Sequence, residues 1–321
     1  MDGSTIGSIL SLDKCIEVVE AAFAAHARGQ SLAPQLTHVH AHDGEFHIKA
    51  GGLCIDRPYF VCKINAGFFK NPSRFGLPSI SGLIVLCDAE NGSPLALFQS
   101  GELTRLRTGA ATAVAAKYLA RSDSEVVTIC GAGRQCEIQL RSLCQVLPIR
   151  LVHLWSRSNA QQTAERLSAI LNLPVLATGD LVSATRQSDV IVTCTPATSW
   201  FLGRQHVKAG TFIAAIGADS PGKQEIEPKL LAEVRIVPDL LEQAKKVGDL
   251  HHAYTAGLIT SNQVLGELGD VVVGKASGRS FPEEIIVFDS TGTALQDAAV
   301  AVAAYERARV GNLGTLFEFS R

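Results

Sequence analysis

The chain has 321 residues, of which 46% are hydrophobic and 19% are charged, and these ordinary globular values exclude a disordered or fibrous protein. A formal net charge of −2 gives no electrostatic reason to expect nucleic acid or an anionic membrane as a partner. No apolar run approaches the roughly 20 residues that cross a bilayer, and residues 1–10 do not resemble a signal peptide. The eight cysteines lie mostly within apolar runs and form no Cys-x-x-Cys pair, so we expect reduced, buried thiols in a cytoplasmic protein.

The first third of the chain predicts an α+β domain with mostly antiparallel strands. Apolar residues at helical spacing predict a helix over residues 12–28, with Ser11 as its N-cap and Gly29 as its stop. A long Ala-rich helix is predicted over residues 102–120. Between the two helices, short apolar or alternating runs predict strands, and Asn-Pro or Asn-Gly pairs predict turns. The strands are residues 36–41, 60–64 and 82–87, and the turns are Asn71-Pro72 and Asn91-Gly92.

After residue 121 the pattern changes to short apolar runs separated by helical or loop-like stretches. Apolar strands that alternate with helices indicate βαβ units and a parallel sheet with both faces covered. The predicted strands are residues 126–130, 151–155, 189–195, 211–217, 234–237 and 284–289.

These patterns predict the α/β class, with a Rossmann-type dinucleotide-binding domain at residues 122–288 and an α+β domain at residues 1–121 with 289–321. A final Ala-rich helix is predicted over residues 293–310. We expect this helix to pack on the first domain, because alone it could not bury its apolar stripe of Ala298, Val302 and Tyr305.

The first strand of the parallel sheet runs directly into Gly131-Ala132-Gly133 and then into a helix. Gly131 permits a tight turn, Gly133 lets the backbone approach a pyrophosphate, and Cys136 takes the place of the usual third small residue. A lone Gly-x-Gly also occurs in plain turns. The strand before it, the helix after it and the second strand at residues 151–155 favour a dinucleotide site.

The end of the second strand reads Trp155-Ser156-Arg157-Ser158, where an acidic residue would accept the ribose 2′-hydroxyl of NAD. A guanidinium flanked by two hydroxyls suits a 2′-phosphate instead, so NADP(H) is favoured and NAD(H) is the second possibility. The alternative is an arginine in a solvated turn.

Three stretches place ionisable residues among small or apolar ones. Lys63 lies in an apolar strand, where it is costly unless it meets an anion or transfers a proton; the alternative is an edge-strand lysine that reaches water. Arg105 and Arg107 lie where the long helix becomes rich in small residues, and one of them could clamp a carboxylate, although either could face solvent. Asp219 follows a strand of the parallel sheet, where ligands bind, so it could act as a general base or hold an amine. A structural turn explains it equally well.

His38, His40 and His42 alternate and would share one face of a strand, where three imidazoles could hold a metal. No fourth ligand is evident, and a polar strand face explains them equally well, so we assign no metal.

These residues resemble the ornithine cyclodeaminase/mu-crystallin family, which also contains alanine dehydrogenases and ketimine or pyrroline-carboxylate reductases. The resemblance covers nearly the whole chain. Its most specific segments, in the order of the family, are residues 76–79, 103–111 (LTRLRTGAA), 131–135, 217–223 (GADSPGK) and 288–297 (FDSTGTALQD).

The resemblance implies roles for individual residues and for the first domain. Lys63, Arg107 and Thr291 match substrate-side positions, and Asp219 matches the catalytic aspartate. The first domain is implied to bind substrate and to form a homodimer. With the turn and the second strand included, the predicted cofactor-binding residues are Ser79, Arg107, Thr108, Gly131, Ala132, Gly133, Arg134, Gln135, Ser156, Arg157, Ser158, Thr195, Pro196, Gly217, Lys223 and Ser290.

Two departures from the family pattern matter. The cyclodeaminases keep an acidic residue where this chain has Ser156 and Arg157, which is consistent with a reductase that uses NADPH. The family's early carboxylate-binding arginine has no counterpart in residues 34–42, and Lys49 is the candidate replacement.

The leading hypothesis is an NAD(P)-dependent oxidoreductase of a small amino or cyclic imino acid, in which Lys63 and Arg107 hold the carboxylate and Asp219 handles the amine or its proton. The first alternative is an amino-acid cyclodeaminase with bound NAD. The second is a non-catalytic protein that binds NADPH and a small ligand.

Overall fold

The structure is a computed structural model that describes residues 1–317. The chain divides into two compact units, one formed by residues 1–107 with the segment that begins at Thr293, and the other by Thr108–Gly292. We call them unit 1 and unit 2.

The elements have the following bounds in chain order. The helices are α1 (Gly3–Ile9), α2 (Leu12–Ala27), α3 (Asn71–Phe75), α4 (Ser100–Leu119), α5 (Cys136–Cys144), α6 (Ala160–Leu171), α7 (Leu181–Gln187), α8 (Pro228–Glu233), α9 (Leu241–Ala244), α10 (Asp249–Thr255), α11 (Leu268–Val272) and α12 (Ala294–Gly311). The strands are β1 (Ser31–Ala41), β2 (Gly44–Cys54), β3 (Pro58–Gly67), β4 (Ile80–Asp88), β5 (Pro94–Gln99), β6 (Val126–Cys130), β7 (Leu151–Trp155), β8 (Val175–Thr178), β9 (Val190–Thr193), β10 (Thr198–Leu202), β11 (Phe212–Ala215), β12 (Gln224–Ile226), β13 (Arg235–Pro238) and β14 (Ile286–Asp289).

Unit 1 is a five-stranded antiparallel sheet in the order β1-β2-β3-β4-β5, with α12 packed on one face and α2 packed on α12. We call the face under α12 the inner face; it carries the buried side chains of Val61, Ile84 and Phe98. The C-terminal helix therefore packs on the first unit, as predicted. Its predicted stripe is only partly right, since Ala298 is fully buried whereas Val302 and Tyr305 are half-buried.

Unit 2 is built on a seven-stranded parallel sheet in the order β13-β14-β11-β9-β6-β7-β8. The chain leaves β6 toward β7 and β8, then returns to pair β9 with the other side of β6. This reversal is the topological switch point at which ligands bind in open parallel sheets. The predicted Rossmann-type domain and antiparallel first domain are confirmed.

Local signals explain several element ends. The Ser11 hydroxyl accepts a hydrogen bond from Lys14 N at 3.3 Å and caps α2, and Gly29 has φ +75 just after that helix, as predicted. Asn71-Pro72 begins the helix α3 instead of a turn, because proline suits the first turn of a helix. Strands β2, β5, β8, β10 and β12 have no counterpart among the predicted elements.

The division into units differs from the predicted boundaries at 121/122 and 288/289. The second part of α4 groups with unit 2, because Ile138 and Ser142 of α5 leave no room for a side chain at Gly109. In addition, Arg279 Nε donates to the carbonyl of Leu119 at 2.9 Å.

Two properties of the described chain bear on its surroundings. Among residues 1–317, no helix combines the length and apolarity that crossing a bilayer requires. All eight cysteines are free, and Cys144 is the exposed one.

Candidate active site

The turn after β6 has the backbone that a phosphate-binding turn needs. Gly131 has φ +121, and a Cβ added there would lie 2.9 Å from the carbonyl oxygen of Cys194, so the turn requires glycine. A Cβ added to Gly133 would meet no described atom within 4 Å. In the described structure no side chain caps α5, whose first turn therefore keeps donors for an anion.

A pocket of about 500 Å³ opens beside this turn within unit 2. The rings of Trp155 and Phe201 form part of its wall, with centroids 5.2 Å apart. Arg157 is exposed at its edge. Predicted cofactor-binding residues that line the pocket are Gly131, Ala132, Gly133, Ser156, Arg157, Ser158, Thr195 and Pro196.

Glu225 was not among the predicted site residues. Its carboxylate joins Thr195, which follows β9, to Gly217, which follows β11. One of its carboxylate oxygens accepts from Thr195 N and Thr195 Oγ1, both at 2.7 Å, and the other accepts from Gly217 N at 2.9 Å. Burial raises the pKa of Glu225, and its hydrogen bonds to Thr195 and Gly217 oppose that effect. Glu225 therefore fixes the turns that follow β9 and β11.

Behind Glu225 lie further buried carboxyl groups. Asp249 Oδ1 accepts from Glu225 N at 2.7 Å, and Asp289 accepts from Leu250 N at 2.9 Å. Burial, together with the charge of Glu225, raises the pKa of Asp249 to about 7. Burial and Asp249 likewise raise the pKa of Asp289. These groups tie α10 to the sheet edge at which the pocket lies.

Asp219 lies in the loop after β11, as predicted, and its side chain is 42% exposed. Lys223 Nζ donates to Asp219 Oδ1 at 2.5 Å, so the predicted catalytic carboxylate and the predicted cofactor-side lysine are ion-paired to each other. The carbonyl of Lys223 contacts His252 Nε2 at 2.8 Å, which holds the loop on α10.

Ser290 and Thr291 follow β14 and differ in how their hydroxyls are used. Thr291 is fully buried; its Oγ1 donates to Asp239 at 2.6 Å and accepts from Gln243 Nε2 at 2.8 Å. Ser290 Oγ is buried and has no hydrogen-bond partner among the described residues. An orphaned buried hydroxyl at a predicted cofactor-side position fits a bound polar group.

The candidate substrate residues of unit 1 form a buried cluster of charges that we call the lysine–arginine cluster: Lys49, Lys63, Arg107 and Asp297. Lys63 Nζ lies 2.5 Å from Asp297 Oδ2, and Arg107 Nε lies 3.1 Å from Asp297 Oδ1. Lys49 is directly opposite Lys63 in the ladder between β2 and β3. The residues are between 0% and 6% exposed.

Three basic side chains in this cluster act on one carboxylate. Burial lowers the pKa of Lys63 to about 7, against the attraction of Asp297. Burial opposes ionisation of Asp297 as well, but Lys63 and Arg107 outweigh it and lower its pKa. Lys49 also favours the ionised form of Asp297, and two lysines directly opposite each other in a ladder are an unfavourable pair.

The structure distinguishes Arg105 from Arg107, either of which could bind a carboxylate according to the sequence. Arg105 is partly exposed and pairs with Glu102 through two contacts of 2.6 and 2.9 Å. Arg107 is the buried one, and its Nη1 also donates to Gln296 Oε1 at 2.9 Å. Gln296 and Asp297 lie in the motif at residues 288–297, but neither was among the predicted site residues.

The other predicted residues are placed as follows. Ser79 precedes β4 and its carbonyl accepts from Phe68 N at 2.7 Å. Thr108 is buried in α4. Arg134 is exposed and Gln135 is half-buried at the start of α5.

The three alternating histidines do not form one cluster. His38 is half-buried in β1, whereas the side chain of His40 is 84% exposed and that of His42 is 98% exposed. The prediction that all three share a strand face is wrong for His42, because β1 ends at Ala41 and the hairpin turn follows.

Comparisons with known proteins agree with this architecture. The model of the ornithine cyclodeaminase/mu-crystallin family matches residues 2–312. An iminosuccinate reductase from Paracoccus denitrificans (strain Pd 1222) is 36% identical, over 95% of this chain and 94% of the relative.

Two solved structures cover nearly the whole chain. An archaeal alanine dehydrogenase dimer with bound NAD has a TM-score of 0.93 and 35% identity, and the match covers 100% of this chain and 98% of that chain. The delta(1)-pyrroline-2-carboxylate reductase of Thermococcus litoralis, in complex with NADH and L-proline, has a TM-score of 0.94 and 30% identity, with 99% of each chain covered. Both structures contain NAD or NADH.

Proposed function

The chain belongs to the ornithine cyclodeaminase/mu-crystallin family, and we propose that it is an NAD(P)-dependent oxidoreductase of a small amino or cyclic imino acid. The observation that carries the proposal is the buried lysine–arginine cluster, in which three basic side chains surround the carboxylate of Asp297. The same chain has a turn after β6 that suits the pyrophosphate of a dinucleotide. Relatives at 30% identity or more include dehydrogenases and reductases of amino or imino acids.

Unit 2 is the proposed dinucleotide-binding domain. Gly131 and Gly133 supply a backbone that a pyrophosphate can approach, and the pocket beside them presents two aromatic rings. We propose NADP(H) as the preferred cofactor because Arg157 is exposed at the pocket edge between Ser156 and Ser158, a donor set that suits a 2′-phosphate. The nicotinamide, when bound, donates or accepts the hydride.

Unit 1 is the proposed substrate-binding domain. A substrate carboxylate would pair with Arg107. Hydrogen bonds to Asp297 and Gln296 hold its planar guanidinium in place. Lys49 and Lys63 add positive charge from the inner face of the sheet, which makes Lys49 a suitable replacement for a missing arginine. Binding of the carboxylate would relieve the repulsion between these basic groups.

Two groups are proposed to handle protons. Lys63, with a pKa of about 7, can hold or release a proton near neutral pH, and its charged form pairs with the Asp297 carboxylate at 2.5 Å. Asp219 is proposed to hold the substrate amine or to take its proton, because its carboxylate is accessible and Lys223 keeps it oriented. A homodimer formed through unit 1 and a cytoplasmic location, which suits eight free cysteines, complete the proposal.

The test is a substrate panel of cyclic imines, 2-oxo acids with an amine, and ornithine, followed by the absorbance of NADPH and by an ammonia assay. We expect stoichiometric NADPH oxidation with a cyclic imine or with a 2-oxo acid and amine. Arg105→Ala, which changes the partly exposed arginine two residues before Arg107, serves as the matched control and should retain turnover.

The other outcomes identify the alternatives. Ammonia release from ornithine without net NADPH change would mark a cyclodeaminase. Tight NADPH binding with no turnover of any panel member would mark a non-catalytic binding protein. Either result would contradict the proposed oxidoreductase.

A further inference from the structure

Three potential metal ligands meet on the inner face of the unit 1 sheet, outside the lysine–arginine cluster. One ligand atom each from His38, Glu45 and His47 lies within 4.8 Å of the other two. His47 Nε2 is 2.8 Å from Glu45 Oε1, and the rings of His38 and His47 have centroids 4.5 Å apart. We propose that these residues, which we call the hairpin triad, bind a zinc ion.

The register of the β1–β2 hairpin brings the hairpin triad together. His38 and His47 are direct partners in the ladder, and Glu45 precedes His47 by two residues and therefore points to the same face. Side chains at such cross-strand positions have Cβ atoms about 4.5–5.5 Å apart. Because the hydrogen-bonded strands fix the backbone of all three residues, the metal site would be largely preorganised.

The chemistry of the triad favours zinc over an anion. Two imidazoles and one carboxylate are a donor set that zinc accepts, with water in the fourth position. The carboxylate of Glu45 would repel an anion and reduces the net charge of a bound zinc ion. The Glu45 and His47 side chains are 25% and 14% exposed, which leaves a path for the ion and its water ligand. Lys49 lies two ladder rows from His47 on the same face of the sheet, opposite Lys63.

The alternative is an ordinary hydrogen bond between Glu45 and His47, which needs nothing from His38. His38 is therefore the decisive residue. The same hairpin offers a matched control in His42, which has the same side chain but is 98% exposed and lies in the turn after β1, where its ring faces Asp43.

The experiment uses the full chain after treatment with EDTA and titrates zinc in competition with a colorimetric chelator. We expect one zinc ion per chain. His38→Ala and His47→Ala should each weaken binding at least about tenfold, since even the loss of a group that only supports a ligand costs 10–100-fold. His42→Ala should bind zinc as the unchanged chain does. Zinc should also raise the melting temperature of the unchanged chain but not that of His38→Ala.

Two results would overturn the zinc site: failure of the unchanged chain to compete with the chelator, or binding by His38→Ala as tight as that of the unchanged chain. The second result would mean a Glu45–His47 pair or zinc held by cysteines. Should His38→Ala fail to fold by circular dichroism, Glu45→Gln decides the question. It keeps a hydrogen-bond acceptor for His47 but removes the charge, and it should also weaken zinc binding at least about tenfold. None of these outcomes depends on NADPH turnover.

Discussion

Lys63 combines almost complete burial with a charge that can change near neutral pH, because burial lowers its pKa to about 7 while Asp297 opposes that shift. Lys63 is protonated below that pH and becomes neutral above it. If the charged form holds the substrate carboxylate, KM for the imino acid should rise as the pH increases through about 7.

Lys63→Ala should have a high KM that no longer changes over this range. Steady-state kinetics at a series of pH values measures KM for the unchanged chain and for Lys63→Ala, and circular dichroism checks that the variant folds. A KM of the unchanged chain that stays flat across neutral pH would show that Lys63 does not titrate in the substrate site.

Asp219 is the proposed group at the substrate amine. Asp219→Asn should leave NADPH affinity near normal and lower kcat by ~10²–10⁴, the usual range for a lost general acid or base. Asp123→Asn, a change to a carboxylate of the same unit that is 79% exposed, is the control and should have no effect. Steady-state kinetics measures kcat, and fluorescence titration with NADPH measures the Kd of the cofactor. If folded Asp219→Asn protein has a kcat within about threefold of that of the unchanged chain, Asp219 has only a structural role in its loop.

Arg157 and its neighbours should decide between the two dinucleotides. The double change of Ser156→Asp with Arg157→Ala exchanges a phosphate partner for a hydroxyl acceptor. NADPH affinity should fall by roughly 1.5–3 kcal/mol, the value of one charge-assisted pair, while NADH affinity improves. Arg150→Ala, at an exposed arginine outside the pocket, controls for a general loss of positive charge. Because the solved relatives contain NAD or NADH, an unchanged chain that prefers NADH would contradict this prediction directly.

At the scale of elements, the turn between β6 and α5 offers a pair of glycines with opposite environments. Gly131→Ala places a Cβ 2.9 Å from a backbone carbonyl at φ +121, so it should lower the free energy of unfolding by about 1–3 kcal/mol. Gly133→Ala has space in the described structure and should fold normally, yet weaken NADPH binding because its methyl group enters the pocket. Urea unfolding and NADPH titration measure both effects. Equal stability losses in the two variants would mean that the turn does not have this geometry.

Much of the fold could be predicted from the sequence because buried parallel strands are short apolar runs. The predicted run at residues 126–130 matches β6, and the run at residues 151–155 matches β7. By contrast, β2 carries His47 and Lys49 on its inner face, and polar side chains hide the alternation that marks a strand. An antiparallel strand that contributes side chains to a polar site is therefore hard to predict from alternation alone.

The candidate site could be predicted only where chemistry is local in the sequence. Gly131 and Gly133 are recognisable because the phosphate-binding turn is a contiguous motif. The partners Asp297 and Glu225 were not predictable from spacing, because each meets its partners through pairing of distant segments. His38 likewise joins Glu45 and His47 only through the register of a hairpin whose second strand was missed.

At the scale of the whole molecule, the outer face of the unit 1 sheet, opposite the inner face, is apolar yet exposed. Ile48, Ile64 and Leu83 lie in one ladder row of this face. The large apolar side chains that remain between 42% and 52% exposed on it are Val39, Ile64, Leu83 and Leu97. Large apolar patches at a protein surface are typical of interaction sites.

A second copy of the chain is the occupant that we predict for the outer face, since a related solved structure is an alanine dehydrogenase dimer. Light scattering should report about 68 kDa, twice the chain mass of 34.1 kDa. Ile64→Asp should shift the protein to the monomer, because a charge in the centre of an apolar interface is left without a partner when it is buried. Ile170→Asp changes an isoleucine of similar exposure on α6 of unit 2 and should leave the mass unchanged. An unchanged chain that is monomeric at micromolar concentration, or an Ile64→Asp protein that stays dimeric, would mean that the outer face does not pair two copies.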